Sequence, residues 1–340
     1  MNNRGEKVFF YILIIISMLS CNEKREKAFD YRQNMIYVEG EPLPIEQLIG
    51  RPYAITCMDS LLIYYDRYDG KLLSVFNLKS NHFVGRFVTE GQGPNDAFGM
   101  LYLLSYPQKD RLHIYQRAPG ILRTLDIQDF RTHNTIPITS SPPTEMQRAK
   151  DFYIGMGIFD EGRFSVYDVK GELLYIDGNH PYDGKDMEPP KAFLIYQGPF
   201  CANPDKNYFV SACAFNDHIS FYEVAKNEII MLCEYGTNNS NVGYDTNGLI
   251  LNDDCTINYT WAYGTASYCY MLFSGKTYAD NRQRVVGGNY IIAFDWQGNY
   301  IKTLHTDFEI RSFCVDEANT YIYALAQRED GDIVIIKLKI

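Results

Sequence analysis

The sequence predicts an all-β fold, a β-propeller of six blades made of antiparallel meander strands. Tyr and Phe are abundant, with 28 and 20 copies against 2 Trp, and such residues fit the half-buried surfaces of strands. Short apolar runs alternate with turns rich in Gly, Asp and Asn, and long helical periodicity is absent. These units recur roughly every 45 to 55 residues, a period typical of propeller blades, so the body of the chain holds about six, with seven as the alternative.

The first twenty residues have the pattern of a secretory signal. Arg4 and Lys7 precede an apolar run that begins at Val8 and ends near Leu19. The run has about a dozen residues, whereas a membrane-spanning helix needs roughly 20. It ends in Met18–Cys21, which resembles the lipidation signal of bacterial lipoproteins. We therefore interpret residues 1–20 as a lipoprotein signal peptide and Cys21 as the lipidated N-terminus, with an ordinary cleaved signal as the alternative.

Residues 21–34 follow as a predicted tether, because they are mixed in charge and lack apolar periodicity. A single propeller domain is then expected over residues 35–340. Several acyl chains on Cys21 would hold the protein firmly at a membrane. We expect an exported protein of the outer membrane, and the sequence leaves open whether it faces the periplasm or the cell surface.

The clearest predicted unit is a meander of three strands, Ser60–Asp66, Leu72–Leu78 and His82–Val88. The first two are joined by a turn with Asp69 and Gly70 at its centre. A tight hairpin turn needs positive φ, which Gly adopts freely and Asp tolerates. This unit therefore predicts one blade.

Later parts of the chain repeat the pattern. The further predicted hairpins are 111–115 with 121–127, 163–169 with 172–176, 208–215 with 219–224 and 229–235, 289–294 with 300–304, and 320–327 with 332–338. The stretches 176–198 and 237–263 are expected to be longer loops. Because the chain ends on a strand, an early strand near Met35–Val38 is expected to complete the last blade and close the ring. A two-sheet sandwich is the alternative, although it rarely needs so many similarly spaced meanders.

Three segments carry a family resemblance. Arg86–Phe98 contains Gly-Gln-Gly-Pro, and this segment together with Phe294–Leu304 and Phe313–Ala324 resembles the six-bladed, TolB-like propeller lipoproteins of Bacteroidetes. Asp96 stands where Glu is more usual in that family. Members are largely of unknown function, so the resemblance implies fold and location more than activity.

Charge limits the partners. The formal net charge is -10, and the acidic residues are spread along the chain. Nucleic-acid binding needs a clustered cationic surface, so no nucleic-acid partner is expected. A negative domain is also repelled by anionic lipid headgroups, so membrane attachment is expected through the lipid alone.

The motif search predicts no catalytic residue, no cofactor and no metal site. Gly91, Gly93 and Pro94 lack the spacing of a phosphate-binding loop, so we interpret them as a loop between blades. Asp177, Asp183 and Asp186 could offer oxygens to calcium, but their spacing is not that of an EF-hand and a solvated loop is favoured. The six histidines have no metal-ligand spacing and are expected to be exposed: His82, His113, His133, His180, His218 and His305.

Seven cysteines remain once Cys21 is set aside, an odd number in an exported chain. None forms a Cys-x-x-Cys unit. Cys213 and Cys233 lie in apolar strands and are interpreted as small buried residues. A bridge from Cys201 to Cys213 is the alternative.

Three hypotheses of function follow. The first is a binding or scaffolding module that recognises a protein or glycan of the cell envelope. The second is a propeller-type hydrolase or lactonase with a channel metal, for which Glu90, Asn95, Asn216 and Asp316 are the candidate side chains. The third is an envelope protein with a purely structural role and no small ligand.

Overall fold

The protein was analysed as a computed structural model. It describes residues 30–340 except 48, 51, 105–109, 182–186, 237–241, 247, 285 and 329–330. The predicted signal peptide over 1–20, Cys21 and the tether up to residue 29 lie outside the described residues. They remain predictions.

Nearly all the described secondary structure is β. In chain order the elements are β1 (Met35–Tyr37), β2 (Gly40–Pro42), β3 (Pro52–Met58), β4 (Leu61–Tyr68), β5 (Lys71–Asn77), β6 (His82–Thr89), β7 (Leu101–Leu104), β8 (Arg111–Gln116), β9 (Ile121–Asp126), β10 (Thr132–Pro137), β11 (Glu145–Arg148), β12 (Tyr153–Met156), β13 (Phe164–Tyr167), β14 (Leu173–Asp177), α1 (Pro189–Tyr196), β15 (Phe200–Ala202), β16 (Tyr208–Ala212), β17 (Ile219–Val224), β18 (Ile229–Tyr235), β19 (Val242–Asp245), β20 (Gly248–Leu251), β21 (Thr256–Gly264), β22 (Tyr268–Thr277), β23 (Gly288–Asp295), β24 (Tyr300–Val315), β25 (Tyr321–Gln327) and β26 (Ile333–Lys339).

Six antiparallel blades account for the described sheets apart from the two-stranded hairpin β19–β20. Four are separate four-stranded meanders: β3–β6, β7–β10, β11–β14 and β15–β18. The other two lie in one eight-stranded sheet because they share the 16-residue strand β24. Its first part pairs with β23 and completes blade five, and its second part pairs with β25 and begins blade six. The predicted all-β propeller is confirmed, and the two-sheet sandwich is excluded.

The first strands of the six blades form the inner wall of the ring. These strands are β3, β7, β11, β15, β21 and the second part of β24, and each contacts the next, with β24 returning to β3. All six run in the same direction along the central channel. We call the end at which they begin the upper face. It also carries the connections from one blade to the next.

Blade one matches its prediction closely. β4, β5 and β6 lie within one or two residues of the predicted strands. Asp69 and Gly70 both have positive φ, +50° and +68°, as the tight turn requires. The alternation of side chains buries Ile63, Leu73 and Val75 completely between this blade and its neighbour.

The conformation of the loop between blades one and two requires two of its glycines. Gly93 donates its backbone N–H to Asp96 Oδ2 at 3.0 Å. A Cβ added to Gly91 or Gly93 would lie within 2.7 Å of that carboxylate. The two glycines are therefore needed for close approach to Asp96, which agrees with the interpretation as a loop between blades.

The closing strand differs from the prediction. Gly40–Pro42, rather than Met35–Val38, pairs with β26 and completes blade six. β1 pairs in parallel with Thr303–His305 of β24, on blade five, where Val38 is buried. The predicted position was wrong because the edge of β26 pairs through its backbone and accepts the polar segment Gly-Glu-Pro. β1 leaves its own side chains exposed on blade five, and only Val38, which follows it, is buried.

Both expected long loops contain regular structure. The stretch 176–198 includes α1, which begins with two prolines at its first positions, where a missing N–H costs nothing. The stretch 237–263 includes the hairpin β19–β20 and most of β21. Apolar residues of α1, β19 and β20 pack on one another above blade four, so these insertions form a raised rim on the upper face.

Candidate functional site

A cavity of about 320 Å³ occupies the upper part of the central channel. We call it the inner cavity. Its walls come from the innermost strands of five blades, through residues such as Tyr53, Tyr102, Glu145, Cys201 and Trp261. The rim adds Phe193 of α1. A concave site built from several rigid elements is the usual setting of a ligand pocket.

Glu145 is the only acidic residue among the described side chains that line the inner cavity. Alternation along β11 places Glu145 and Gln147 in the cavity, while Met146 is fully buried behind them. Burial raises the pKa of the Glu145 carboxyl to about 7, against a weaker opposing effect of the Arg117 guanidinium. Glu145 therefore changes its charge near neutral pH.

Tyrosine hydroxyls surround this carboxyl. Burial, reinforced by the charge of Glu145, raises the pKa of both Tyr53 and Tyr102. The pKa of Tyr53 is raised although 40% of its surface is accessible. Both phenols thus stay neutral and can serve as hydrogen-bond donors to a ligand.

Trp261 forms the opposite wall. Its indole N–H donates to the carbonyl of Phe313 at 2.9 Å, and its ring meets that of Tyr53 edge-on, with centroids 5.8 Å apart. Tyr263 is hydrogen-bonded to Thr56 at 3.2 Å. These contacts fix the aromatic side chains, so the wall offers flat apolar surfaces in a set orientation.

A second cavity, of about 450 Å³, shares Tyr53, Thr260 and Trp261 with the first. We call it the outer cavity. Its remaining walls are Pro52, Val286 and two arginines, Arg284 and Arg311, and none of its lining residues is acidic. The two cavities together form one site at the mouth of the channel, which we call the channel mouth.

A buried arginine holds the rim in place. Arg163 is 1% exposed and donates from Nη2 to the carbonyl of Tyr196 at 3.1 Å and to Ser211 Oγ at 3.0 Å. Tyr196 is the last residue of α1. Arg163 therefore ties the helix end to blade four and fixes Phe193 at the cavity wall.

The four candidate side chains of the hydrolase hypothesis do not line either cavity. Glu90 forms an ion pair with Arg67 on the surface of blade one. The side chain of Asn95 accepts the N–H of Thr132, and that of Asn216 accepts the N–H of His218. Asp316 caps a turn at the opposite end of the channel, where it accepts the N–H groups of Thr320 and Tyr321. Each has a local structural role, and the structure does not bring them together.

The expectation of exposed histidines was wrong at four positions. His113 and His218 are buried, and His180 and His305 are half-buried. Asp177 accepts backbone N–H groups from Gly178 and Ile229, while Asp183 and Asp186 lie outside the described residues. Within the described part of the chain, no three His, Cys, Asp or Glu side chains are grouped so as to hold a metal ion.

The described cysteines are all free thiols, so the alternative bridge between Cys201 and Cys213 is not formed. Cys213 and Cys233 are buried, as expected. Burial raises the pKa of both Cys201 and Cys213, which keeps these thiols protonated and unreactive.

Comparison with known proteins agrees with this architecture. The profile of the family described as TolB-like 6-blade propeller-like matches residues 40–318. The chain belongs to this TolB-like family. No curated protein sequence matches the TolB-like chain.

Solved structures share its fold at low sequence identity. A Bacteroides fragilis protein described as exported is 12% identical, with a TM-score of 0.55 over 90% of this chain and 99% of the other. The structure of U3-55K is 8% identical, with a TM-score of 0.53 over 88% of this chain and 98% of the other. At these identities the likeness concerns the fold alone. Among the described residues, no helix has the length and apolar character needed to cross a membrane.

Sequence reasoning missed the side chains of the channel mouth. The strand Glu145–Arg148 is only four residues long, so its alternation is too brief to stand out. Arg284 and Arg311 are 27 positions apart in a chain with many scattered charges. The pairing of β23 with β24 brings them to one cavity.

Proposed function

We propose that this TolB-like propeller is an exported, lipid-anchored module that binds a ligand at its channel mouth. The observation that carries the proposal is the channel mouth itself, a concave site with fixed aromatic walls and a few polar groups. A rigid ring of six blades presents such a site with little loss of freedom on binding. The family match supports the scaffold, and the N-terminal pattern supports export.

The side chains that line the two cavities favour a binding function over a hydrolase with a channel metal. Both cavities together offer one carboxylate, Glu145, among their described lining residues. A catalytic metal needs several oxygen or nitrogen ligands converging on one point. The polar groups of the channel mouth are better suited to hydrogen-bond a ligand than to hold a metal.

A panel of defined oligosaccharides and peptides, neutral and acidic, tests the proposal on the soluble domain. The readout is the ligand-induced rise in melting temperature. Thr144→Trp places a bulky ring in the inner cavity, which Thr144 lines. Val84→Trp is the matched control, because Val84 is exposed on the outer strand of blade one.

At least one ligand class is expected to stabilise the wild type and Val84→Trp but not Thr144→Trp. Ligands that stabilise all three proteins equally would contradict binding at the channel mouth. A panel that stabilises none of them would favour a purely structural role.

The anchor has its own test. Cys21→Ala removes the proposed acceptor of the lipid, so the variant is expected in the soluble exported fraction rather than in membranes. Membrane retention of Cys21→Ala would contradict lipidation at this residue.

A further inference from the structure

We infer that the ligand of the channel mouth is an acidic saccharide, a sugar ring that carries a carboxylate or sulfate. The inference rests on the proposed function and names the ligand class of the same site. It is carried by the juxtaposition of two arginines and a fixed aromatic pair around the outer cavity.

The charge of the outer cavity is cationic. Arg284 and Arg311 both line it, one from the loop between β22 and β23 and the other from the innermost strand of blade six. Neither forms an ion pair with a described carboxylate. Arg311 Nη2 donates to the neutral Gln327 Oε1 at 2.8 Å. Guanidinium groups without a carboxylate partner are suited to a carboxylate or sulfate, which they bind in bidentate fashion.

The acidic residues near Arg284 make contacts with other residues. Glu309 forms an ion pair with Lys276 at 3.3 Å, and Asp280 accepts the N–H of Thr277. Asp307 accepts the hydroxyl of Tyr37 at 2.6 Å. All three line a separate polar cavity on blades five and six, which adjoins the outer cavity and shares Arg284 and Val286 with it. Three carboxylates thus face the five cationic side chains that line the two adjoining cavities, namely Lys276, Arg282, Arg284, Arg311 and Arg328. The local field therefore favours an anion although the whole protein is acidic.

The aromatic wall selects a ring. Trp261 and Tyr53 line both cavities, and the inner cavity adds the amide side chains of Gln147 and Gln197. A sugar ring has a C–H face that packs on an aromatic ring and hydroxyls that need hydrogen-bond partners at its edge. An acidic peptide would meet the arginines but not this combination as well.

The test uses titration calorimetry on the soluble domain with four probes: a digalacturonate, a sulfated disaccharide, a neutral disaccharide and an Asp-rich peptide. Arg284→Gln removes one cation of the outer cavity. Arg282→Gln is the matched control, since Arg282 is exposed in the same loop and lines only the separate polar cavity. Both replaced side chains are exposed, so folding is not at risk.

The wild type and Arg282→Gln are expected to bind one of the acidic disaccharides, and added salt should weaken that binding. Arg284→Gln should lose roughly tenfold or more in affinity, as expected for a lost charge-assisted hydrogen bond. The neutral disaccharide should bind much more weakly. If the digalacturonate binds more tightly than the sulfated disaccharide, the anionic group of the ligand is a carboxylate. The opposite order would identify it as a sulfate.

Two results would overturn the inference. The first is binding of the peptide or the neutral disaccharide in preference to both acidic ones, and the second is equal affinity in Arg284→Gln and Arg282→Gln. Either result leaves the proposed function standing if Thr144→Trp still blocks the ligand. Failure of all four probes would refute the acidic saccharide, and the broader panel would then decide the proposed function separately.

Discussion

The ionisation of Glu145, which lines the channel mouth, changes the stability of the folded protein. An ionised carboxylate in a cavity with little water is costly, so the folded protein holds its proton more tightly than the unfolded chain does. The pKa of the group rises from 4.5 to about 7 on folding. Its contribution to stability is therefore fully present below about pH 4.5 and is lost as the pH rises towards 7.

We expect Glu145→Gln to remove this dependence. Between about pH 5 and pH 8 the wild type should lose stability relative to the variant, by about 1–2 kcal/mol once partial solvation through the channel is allowed for. Melting temperatures measured across this range test the expectation. Glu172→Gln is the control, because Glu172 is exposed on the same blade. If the melting temperatures of the wild type and Glu145→Gln changed in parallel with pH, the pKa of the Glu145 carboxyl would not be raised in the folded protein.

At the level of elements, α1 depends on a contact from another blade. The helix has no basic residue in its last turn, so its own sequence does not offset the partial negative charge at its C-terminal end. Arg163 supplies the cation instead and donates to the carbonyl of Tyr196. Its guanidinium also lies 5.0 Å from the ring of Phe164. The wall of the inner cavity is thus held by tertiary contact rather than by helix propensity.

Arg163→Ala should detach this helix end. It removes the guanidinium donor from the Tyr196 carbonyl and from Ser211 Oγ, which keep only weak contacts with the sulfurs of Cys213 and Met156. It also opens space beside Phe164, so we expect a loss of about 3 kcal/mol or more in the free energy of unfolding. Hydrogen exchange should become faster in α1. Arg131→Ala, which removes only an exposed ion pair with Asp129, should change stability by less than about 1 kcal/mol. Equal effects of the two substitutions would mean that Arg163 does not anchor the helix.

The elements also show what the sequence can predict. Hairpins such as β4–β5 were identified because Asp69–Gly70 and strand alternation are local signals. α1 and β21 were missed, since an eight-residue helix with two prolines has too little periodicity and β21 contains register shifts. The channel mouth was missed altogether, because its side chains come from strands far apart in sequence. Contacts within a blade join residues that are close in sequence, so they can be predicted from local patterns, whereas contacts between blades cannot.

At the scale of the whole molecule, stability depends on where the ring closes. Blade six is completed by β2 from the beginning of the described chain, and its innermost strand then contacts β3 of blade one. We call this β24–β3 contact the seam. A propeller opened at its seam would expose the apolar side chains that pack blade six on blade one, among them Ile55 and Leu325, and such exposed patches favour aggregation. The seam also borders the outer cavity, through Pro52 and Arg311.

Two thiols meet at this seam. Cys57 of β3 donates its S–H to the carbonyl of Val315 at 3.2 Å. Cys314 of β24 is fully buried, and its pKa is raised well above the ordinary value, first by burial and then by its hydrogen bond with the Cys57 thiol. The Cys314 thiol is therefore protonated and unreactive at rest, but the two thiols are neighbours in space and Cys57 is partly accessible.

Treatment with a disulfide reagent such as oxidised glutathione should join this pair. The two thiols would form one S–S bond and pass two electrons and two protons to the reagent, which is reduced to two thiols. The bond would link the first and last blades and constrain the unfolded chain over most of its length, so the melting temperature should rise. Peptide mapping without reductant should find Cys57 bonded to Cys314, while the buried Cys201 and Cys213 stay reduced.

Cys57→Ser provides the control for the seam, because it keeps a small polar donor and removes one sulfur. The variant should show neither the cross-link nor the rise in melting temperature. A cross-link between another pair in the folded protein, or none in the wild type, would show that the two sulfurs cannot reach bonding distance. Closure would then rest on strand pairing alone, and the hydrogen bonds of β2 with β26 would be the next contacts to disrupt.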